Sequence, residues 1–538
     1  MWTQTTDPLG LLWLSALVAA LPIVTFLLCL VVFKMTGIKA AGIALLLEVL
    51  VALWVFGMPA PSVAGAGLLG LLTAIWPIAY IIVMSVWLYK LAVASGRFDV
   101  IRSSIAQISA DQRIQVLLIS FSFGSFLEGV AGFGVPIAIC AAMLVQLGFR
   151  PLKAAMVSLV ANFAAGAYGA VGIPVIVGAQ VGGVDVMELS RDLVLILQPL
   201  TFLIPFLLVV ILDGWRGLRE TWPATVALTV VFSLSQAGIL IFLGPELAAI
   251  VPGLLGMVTL AALGRVWRPR RIFREDGVEA PSLERHTPGE VVAAWSPFYI
   301  LTAFVFVWST PYFKGLFLPG GALDWSVLTL PIPGVTEQIT TAAGAVVAST
   351  WSWTPINATG TALLLAVLAT YLTTSKITGA MFLGQLQLTV RELWRALVLI
   401  GVILVLANIA NLSGGSASIG NALSAAGPLF PLFAPIIGWV GVFLTGSVVN
   451  NNTLFAQLQA TTASEIGVGS TLLVAANTAG GTAAKVISPQ SIAIAAGAVG
   501  LSGRESEILR ASIVYSAGLL AFISVWTLVL SLTGISLH

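Results

Sequence analysis

Runs of about 20 predominantly apolar residues recur along the whole chain, and this repetition restricts the fold more than any single motif does. They lie near 10–33, 38–57, 63–92, 153–181, 193–212, 223–243, 245–265, 293–312, 358–374, 396–411, 470–500 and 510–533. Of the 538 residues, 59% are hydrophobic and only 9% charged, where a soluble domain carries about 25% charged residues. A soluble core has no room for so much apolar sequence. The expectation is an all-α polytopic membrane protein with about 12 spanning helices. No Lys or Arg precedes Lys34, and the run from Leu11 to Phe33 exceeds the apolar part of a signal peptide, so it is read as a retained first span.

Two further stretches, 114–148 and 429–460, do not read as plain spans. Residues 121–136 run Phe-Ser-Phe-Gly-Ser-Phe-Leu-Glu-Gly-Val-Ala-Gly-Phe-Gly-Val-Pro and combine Gly124, Gly129, Gly132 and Gly134 with the carboxylate of Glu128. A carboxylate at the centre of a membrane helix costs about 2.5–3.5 kcal/mol on insertion scales. Irregular backbone at that depth persists only where protein or a water-filled cavity surrounds it. These residues therefore predict a re-entrant helical hairpin. The second stretch carries Thr445-Gly446-Ser447 and then three consecutive amides, Asn450, Asn451 and Asn452. Such a run is expensive in lipid and natural in a hydrated pocket.

Loop charge orients the spans. Lys34, Lys39, Lys90, Arg97, Arg102, Arg113, Arg150, Lys153, Arg216, Arg219, Arg504 and Arg510 cluster between alternate runs, and the loop 265–292 opens with Arg265, Arg268, Arg270, Arg271 and Arg274. The connections near 58–62, 182–192, 313–340 and 412–428 are poor in Lys and Arg. By the positive-inside rule the basic loops are cytoplasmic and both termini lie outside. This holds only if 114–148 enters from the cytoplasm and returns to it, since a single crossing would strand Arg150 and Lys153 outside. The basic loop is read as a topology signal rather than a lipid patch, and 376–395 as an interfacial amphipathic helix.

An internal duplication is visible at a constant offset of 315 residues, which pairs Asn162 with Asn477, Gly166 with Gly481, Val171 with Val486 and Pro174 with Pro489. It divides the chain into halves 1–264 and 293–538. Each half holds a hairpin (114–148, 429–460) followed by a broken helix (153–181, 470–500), with breaks expected at Asn162–Gly166 and Asn477–Gly481. Following the topology, the second hairpin opens from outside, so the halves are two inverted repeats. Hairpins and broken helices in opposite orientation are how secondary transporters build a midplane site. Half-helix N-termini there suit an anionic carboxylate.

Single residues carry two readings each. Glu128 either carries a proton or faces substrate, or else fixes the hairpin by hydrogen bonds. Glu48 is a structural hydrogen-bonding group or a participant in proton movement. Lys485 is a charge partner for a substrate carboxylate or for Glu128, or snorkels to the cytoplasmic surface. Cys29 and Cys140 lie in apolar spans and suggest no disulfide; His286 and His538 offer no metal or His-based catalytic site. Gly124 and Gly129 have P-loop spacing, but Val130 replaces the Lys that nucleotide binding requires. No nucleic-acid module, enzyme chemistry or cofactor site is found, so any pumping is driven by an ion gradient.

The chain also resembles a known family. Phe98-Asp99-Val100-Ile101-Arg102-Ser103-Ser104, the Glu128 to Gly134 tip, Asp213-Gly214-Trp215-Arg216-Gly217, Thr359-Gly360-Thr361, Thr445-Gly446-Ser447, Ala476-Asn477-Thr478 and the run Ile487-Ser488-Pro489-Gln490-Ser491 are similar to the bacterial L-lactate permeases. The resemblance implies an inner-membrane symporter taking up L-lactate, D-lactate or glycolate with a proton. It also implies the ion-transporter-superfamily type of fold and an elevator-like movement. Carriers of this type are often homodimers, although no stretch here identifies an interface. The family pattern often has Asp after Thr-Gly-Ser, where this chain has Val448, which leaves sodium coupling through the Asn run as the alternative.

The resulting site lies between the tips and the breaks. Its substrate-binding residues are Ser125, Gly129, Gly132, Phe133, Gly134, Asn162, Gly166, Thr445, Gly446, Ser447, Asn451, Asn452, Asn477, Thr478, Gly480 and Gly481, with Glu128 as the proton-linked carboxylate and Lys485 as its charge partner.

Overall fold

The computed structural model describes residues 1–275, 286–342 and 344–537. The middle of the 265–292 loop and His538 lie outside the described residues. Among those described, nine helices are long and apolar enough to cross a membrane, or ten if the bent pair Pro151–Ala164 and Gly166–Gly182 forms one span. That is fewer than the apolar runs predict. The run at 245–265 becomes helical only at Ile250, leaving Ile250–Val266, and 358–374 yields the short helix Thr359–Thr373. The 470–500 run splits into Ser470–Lys485 and Pro489–Ala498.

Runs 193–212 and 223–243 form one element, Val186–Phe242, interrupted at Asp213 and Gly214. Gly214 sits at φ 63°, ψ −161°, a conformation open essentially to glycine alone. The chain doubles back there: Gln198 Nε2 donates to the Ser233 carbonyl at 2.6 Å and Arg191 Nε to the Ile241 carbonyl at 3.4 Å. The stretch 376–395, expected to be an interfacial amphipathic helix, falls mostly in the first part of one continuous helix, Gly379–Ser413, about 52 Å long. Nor is the chain wholly α. Trp2–Thr3 pairs in parallel with Ile339–Thr340, and Leu328–Pro331 pairs antiparallel with Thr350–Trp353.

Two helical hairpins are present, with the arms Gln112–Val130 and Val448–Ile466 largely buried. The first runs up through Gln112–Val130, turns at 131–134 and returns through Val135–Gln146. Its arms are in register where Cys140 Sγ donates to the Ile119 carbonyl at 3.2 Å. The second comprises Phe430–Thr445 and Val448–Ile466, joined by Gly446 and Ser447; Gln459 Nε2 donates across it to the Ala434 carbonyl at 3.1 Å. Their bases lie at opposite ends of the helix beginning at Val186. Asp213 at one end bonds Arg113 at the first base, while Asp192 near the other end lines a cleft with Gly467 and Val468 at the second. Those ends are about 30 Å apart.

The first base is tied by charge. Arg113 is wholly buried and pairs with Asp111 at 2.7 Å, Asp213 at 2.8 Å and Glu220 at 2.7 Å. The segment Arg271–Glu275 crosses both ends of the hairpin: Phe273 N donates to Asp111 Oδ2, Arg271 pairs with Asp213 and Glu220, and Glu275 accepts from Arg150 N and pairs with Lys153 at 2.8 Å. Every residue from Gln112 to Val130 is buried, whereas only a third of Leu12–Leu30 and of Pro288–Ser309 is. The first arm is wrapped in protein, the return arm Val135–Gln146 is partly exposed, and the outer helices present apolar surface outward.

Candidate functional site

The two tips meet. Gly132, Phe133 and Gly134 all take positive φ (58°, 51° and 83°), which turns the first hairpin in four residues. Gly446 at φ 71° does the same for the second, and Ser447 then caps its return helix by accepting from Asn450 N. The helix Pro151–Ala161 breaks after Ala161 into two tight 3₁₀ turns, followed by three left-handed residues, Ala170, Val171 and Gly172. Positive φ at a β-branched residue such as Val171 is a genuine outlier, of the kind that clusters at functional sites. A Cβ on Gly132 would come within 3.1 Å of Ala170 N, so the first tip and the break are in backbone contact.

The cavity at this meeting point has a volume of ≈ 60 Å³. That exceeds the roughly 10–15 Å³ needed to admit one water, so the cavity can be hydrated. Its polar wall is Glu128, Ser447, Lys485, Gln490 and Ser491; its apolar wall includes Phe133, Ile173, Val448 and Ile494. The helices starting at Val135, Val448 and Pro489 all point their N-termini at it, adding positive dipole ends to the charge of Lys485. Lys485 Nζ lies 2.5 Å from Glu128 Oε1, and Asn162 Nδ2 donates to Glu128 Oε2 at 2.9 Å. Of the partners left open for Lys485 by the sequence, the structure has Glu128.

Of the residues expected in the site, Glu128, Gly132, Phe133, Gly134, Gly166, Gly446, Ser447 and Lys485 line the cavity, and Asn162 touches it through Glu128. The others stand back from it. Gly129 packs on Ile250, Ser125 is buried in the hairpin arm, and Thr445 Oγ1 donates to the Gly441 carbonyl. Asn451, Asn452, Asn477 and Thr478 form a buried amide network. In it Asn477 Nδ2 donates to Asn452 Oδ1 at 3.0 Å, and Asn452 Nδ2 reaches the Pro174 carbonyl at 2.8 Å. Gly480 and Gly481 lie within the unbroken helix Ser470–Lys485, so the second break falls at Val486–Ser488 rather than at Asn477–Gly481. Their glycines serve contact with the second hairpin: a Cβ at 480 would collide with the Pro435 carbonyl and one at 481 with Val442. Glu48 is buried in Gly37–Trp54 and does not line the cavity.

Val448 and Val449 line the cavity within the expected second tip, Thr445 to Thr453, whereas sequence reasoning missed Gly169, Ala170, Ile173, Pro174, Gln490, Ser491 and Ile494 as lining residues. A signal existed for three of them: Ser488-Pro489 is a helix start, with Ser488 accepting from Ser491 N and Pro at the first helical position, which puts Gln490, Ser491 and Ile494 just beyond a break. Gly169 supports a test that leaves every charge in place. Its φ of −60° suits alanine, but a Cβ there would stand 2.5 Å from Glu128 Oε1. Gly169→Ala is expected to push the carboxylate off Lys485 and lower solute uptake roughly tenfold, as for loss of one charge-assisted hydrogen bond. Uptake equal to wild type would show that the pair tolerates displacement.

A helical membrane protein whose hairpin tips and helix breaks enclose a small charged cavity is built as a transporter rather than an enzyme. The chain belongs to the L-lactate permease family, whose model matches residues 15–533. It is 48% identical to the L-lactate permease of Halalkalibacterium halodurans over 99% of this chain and 100% of that one. The L-lactate permease of Salmonella typhimurium is 44% identical over 96% of each chain. The glycolate permease GlcA of Escherichia coli is 42% identical over 98% of this chain and 97% of that one. Among solved structures, the YdaH transporter of Alcanivorax borkumensis aligns at TM-score 0.47 with 15% identity, covering 87% of this chain and 88% of that one. The protein is thus a multi-pass transporter of the bacterial inner membrane.

Proposed function

We propose that the protein is a monocarboxylate permease that carries L-lactate, and also D-lactate or glycolate, into the cell together with a proton by alternating access. The observation that carries this reading is the small cavity between the tips, lined by the first residues of three helices and by Lys485. The N-termini and Lys485 would hold the carboxylate, Ser447, Gln490 and Ser491 the 2-hydroxyl, and the Ile173, Val448 and Ile494 side chains the methyl group. Glu128 is the proton-linked carboxylate.

The elevator-like, inverted-repeat arrangement belongs to this proposal. It is supported by the constant sequence offset between Asn162 and Asn477 and by hairpin bases lying at opposite ends of one helix. With the Arg-rich first base on the cytoplasmic side, both termini lie outside. Sodium coupling is the second reading, motivated by Val448 and the adjacent amides.

Labelled L-lactate uptake into proteoliposomes, under a pH gradient or a sodium gradient imposed separately, decides between them. Accumulation under the pH gradient alone is expected. A requirement for sodium would transfer coupling to the amide network, and failure to accumulate under either gradient would refute the substrate.

A further inference from the structure

A buried ion pair on the wall of a solute cavity sets a charge balance that any arriving ion must respect. The side chains of Lys485 and Glu128 are 11% and 2% exposed. Among the described residues, the other charged groups on elements packed against this hairpin arm are engaged or remote. Lys90 pairs with Glu392, Lys153 with Glu275, and Arg265 lies exposed at the far end of Ile250–Val266. The remaining titratable groups on those elements are the Cys140 thiol and the phenols of Tyr80, Tyr89 and Tyr168, which are neutral at ordinary pH.

With the pair intact the site is neutral. A carboxylate that entered then would be a buried charge without a counter-charge, and protonating Glu128 alone would leave Lys485 in that condition. Only the two events together restore neutrality. We propose that Lys485 serves two anions in turn, the Glu128 carboxylate in the empty carrier and the substrate carboxylate in the loaded one, with a proton from the medium on Glu128 releasing it.

Two glycines flank the pair where it meets the cavity. A Cβ on Gly166 would stand 3.6 Å from Lys485 Cδ and one on Gly169 2.5 Å from Glu128 Oε1, and both glycines line the cavity beside the pair. The inference rests on the monocarboxylate reading above and extends it. The site carries the same net charge empty and loaded, so one proton accompanies each anion and the moving step is electrically silent.

The test uses the full-length protein in liposomes with L-lactate, comparing net uptake under a proton gradient with counterflow of labelled against unlabelled lactate. In the wild type, net uptake is expected to be unchanged by potassium–valinomycin potentials of either sign, and the KM for lactate to fall as the medium is acidified. In Glu128→Gln the loaded site is neutral but the empty site keeps an unpaired cation. Its return is hindered, and the ratio of counterflow to net uptake rises roughly a hundredfold, the size expected for one unpaired charge at membrane depth. The KM of that variant no longer depends on pH.

Wild-type protein that does not move lactate defeats the monocarboxylate reading itself. Wild-type uptake that responds to voltage, or a Glu128→Gln variant in which net uptake and counterflow change together, overturns the sharing of Lys485 while leaving that reading intact. The voltage arm requires no variant, so it stands even where Glu128→Gln fails to fold.

Discussion

Gly480→Val is expected to destabilise the protein strongly. Helices Phe430–Thr445 and Ser470–Lys485 cross with their backbones in contact: a Cβ at Gly480 would fall on the Pro435 carbonyl oxygen, and one at Gly438 on the Asn477 carbonyl oxygen. Extra methylenes in a packed core cost about 1–3 kcal/mol when neighbouring side chains shift. Here the obstacle is a carbonyl on each helix, so the helices must part and take the Asn451, Asn452 and Asn477 network with them. The expected loss is at or above the top of that range, about 3 kcal/mol. Thermal unfolding in detergent measures it; a melting temperature equal to wild type would mean that the crossing is looser than the geometry describes. Gly480→Ala separates packing from recognition, since the folded fraction should keep the wild-type KM for lactate if Gly480 only provides contact.

The second large effect is expected at Arg113. Its guanidinium reaches Asp111, Asp213 and Glu220, and Asp111 is itself 1% exposed with Phe273 N and Arg113 as its partners. Arg113→Met keeps most of the volume but leaves buried carboxylates without a cation, a change that costs about 3–5 kcal/mol. Because Arg271 also touches Asp213 and Glu220, the unrelieved charge is chiefly that of Asp111. Asp111→Asn in the Arg113→Met background should therefore recover part of the stability, and the double-mutant cycle gives the coupling. A double variant no more stable than Arg113→Met alone would assign the loss to Asp213 and Glu220 instead.

These residues also show what the sequence could and could not convey. The turn of the first hairpin was legible because Gly132 and Gly134 need positive φ, and glycine in an apolar run has few other uses. The same signal misled at Gly480 and Gly481, where glycine permits helix contact and the backbone stays helical. Composition cannot separate those two uses, which depend on what lies across the interface. The break that does exist was marked by Ser488-Pro489, a cap and a helix start. The Asn run was out of place for lipid, yet Asn451 and Asn452 donate to Thr478 and to the Asn477 and Pro174 carbonyls rather than into the cavity, while Asn450 Oδ1 and Asn451 Oδ1 are buried without a partner. Which partner satisfies a buried amide is a long-range fact. So is the pairing of Glu128 with Lys485 across 357 residues of sequence.

The complete enclosure of Gln112–Val130 has a consequence for biosynthesis. Its walls are made later than it is: Phe126 packs against Trp295 at a tilt and edge-on against Phe298, Gly253 lies against the Phe126 backbone, and Glu128 waits for Lys485. When this segment leaves the ribosome, none of those surfaces exists, and Glu128 opposes a resting place among acyl chains. The enclosure of the hairpin is therefore completed only after the downstream helices have been made. Synthesis order and assembly order are reversed for the segment on which transport depends.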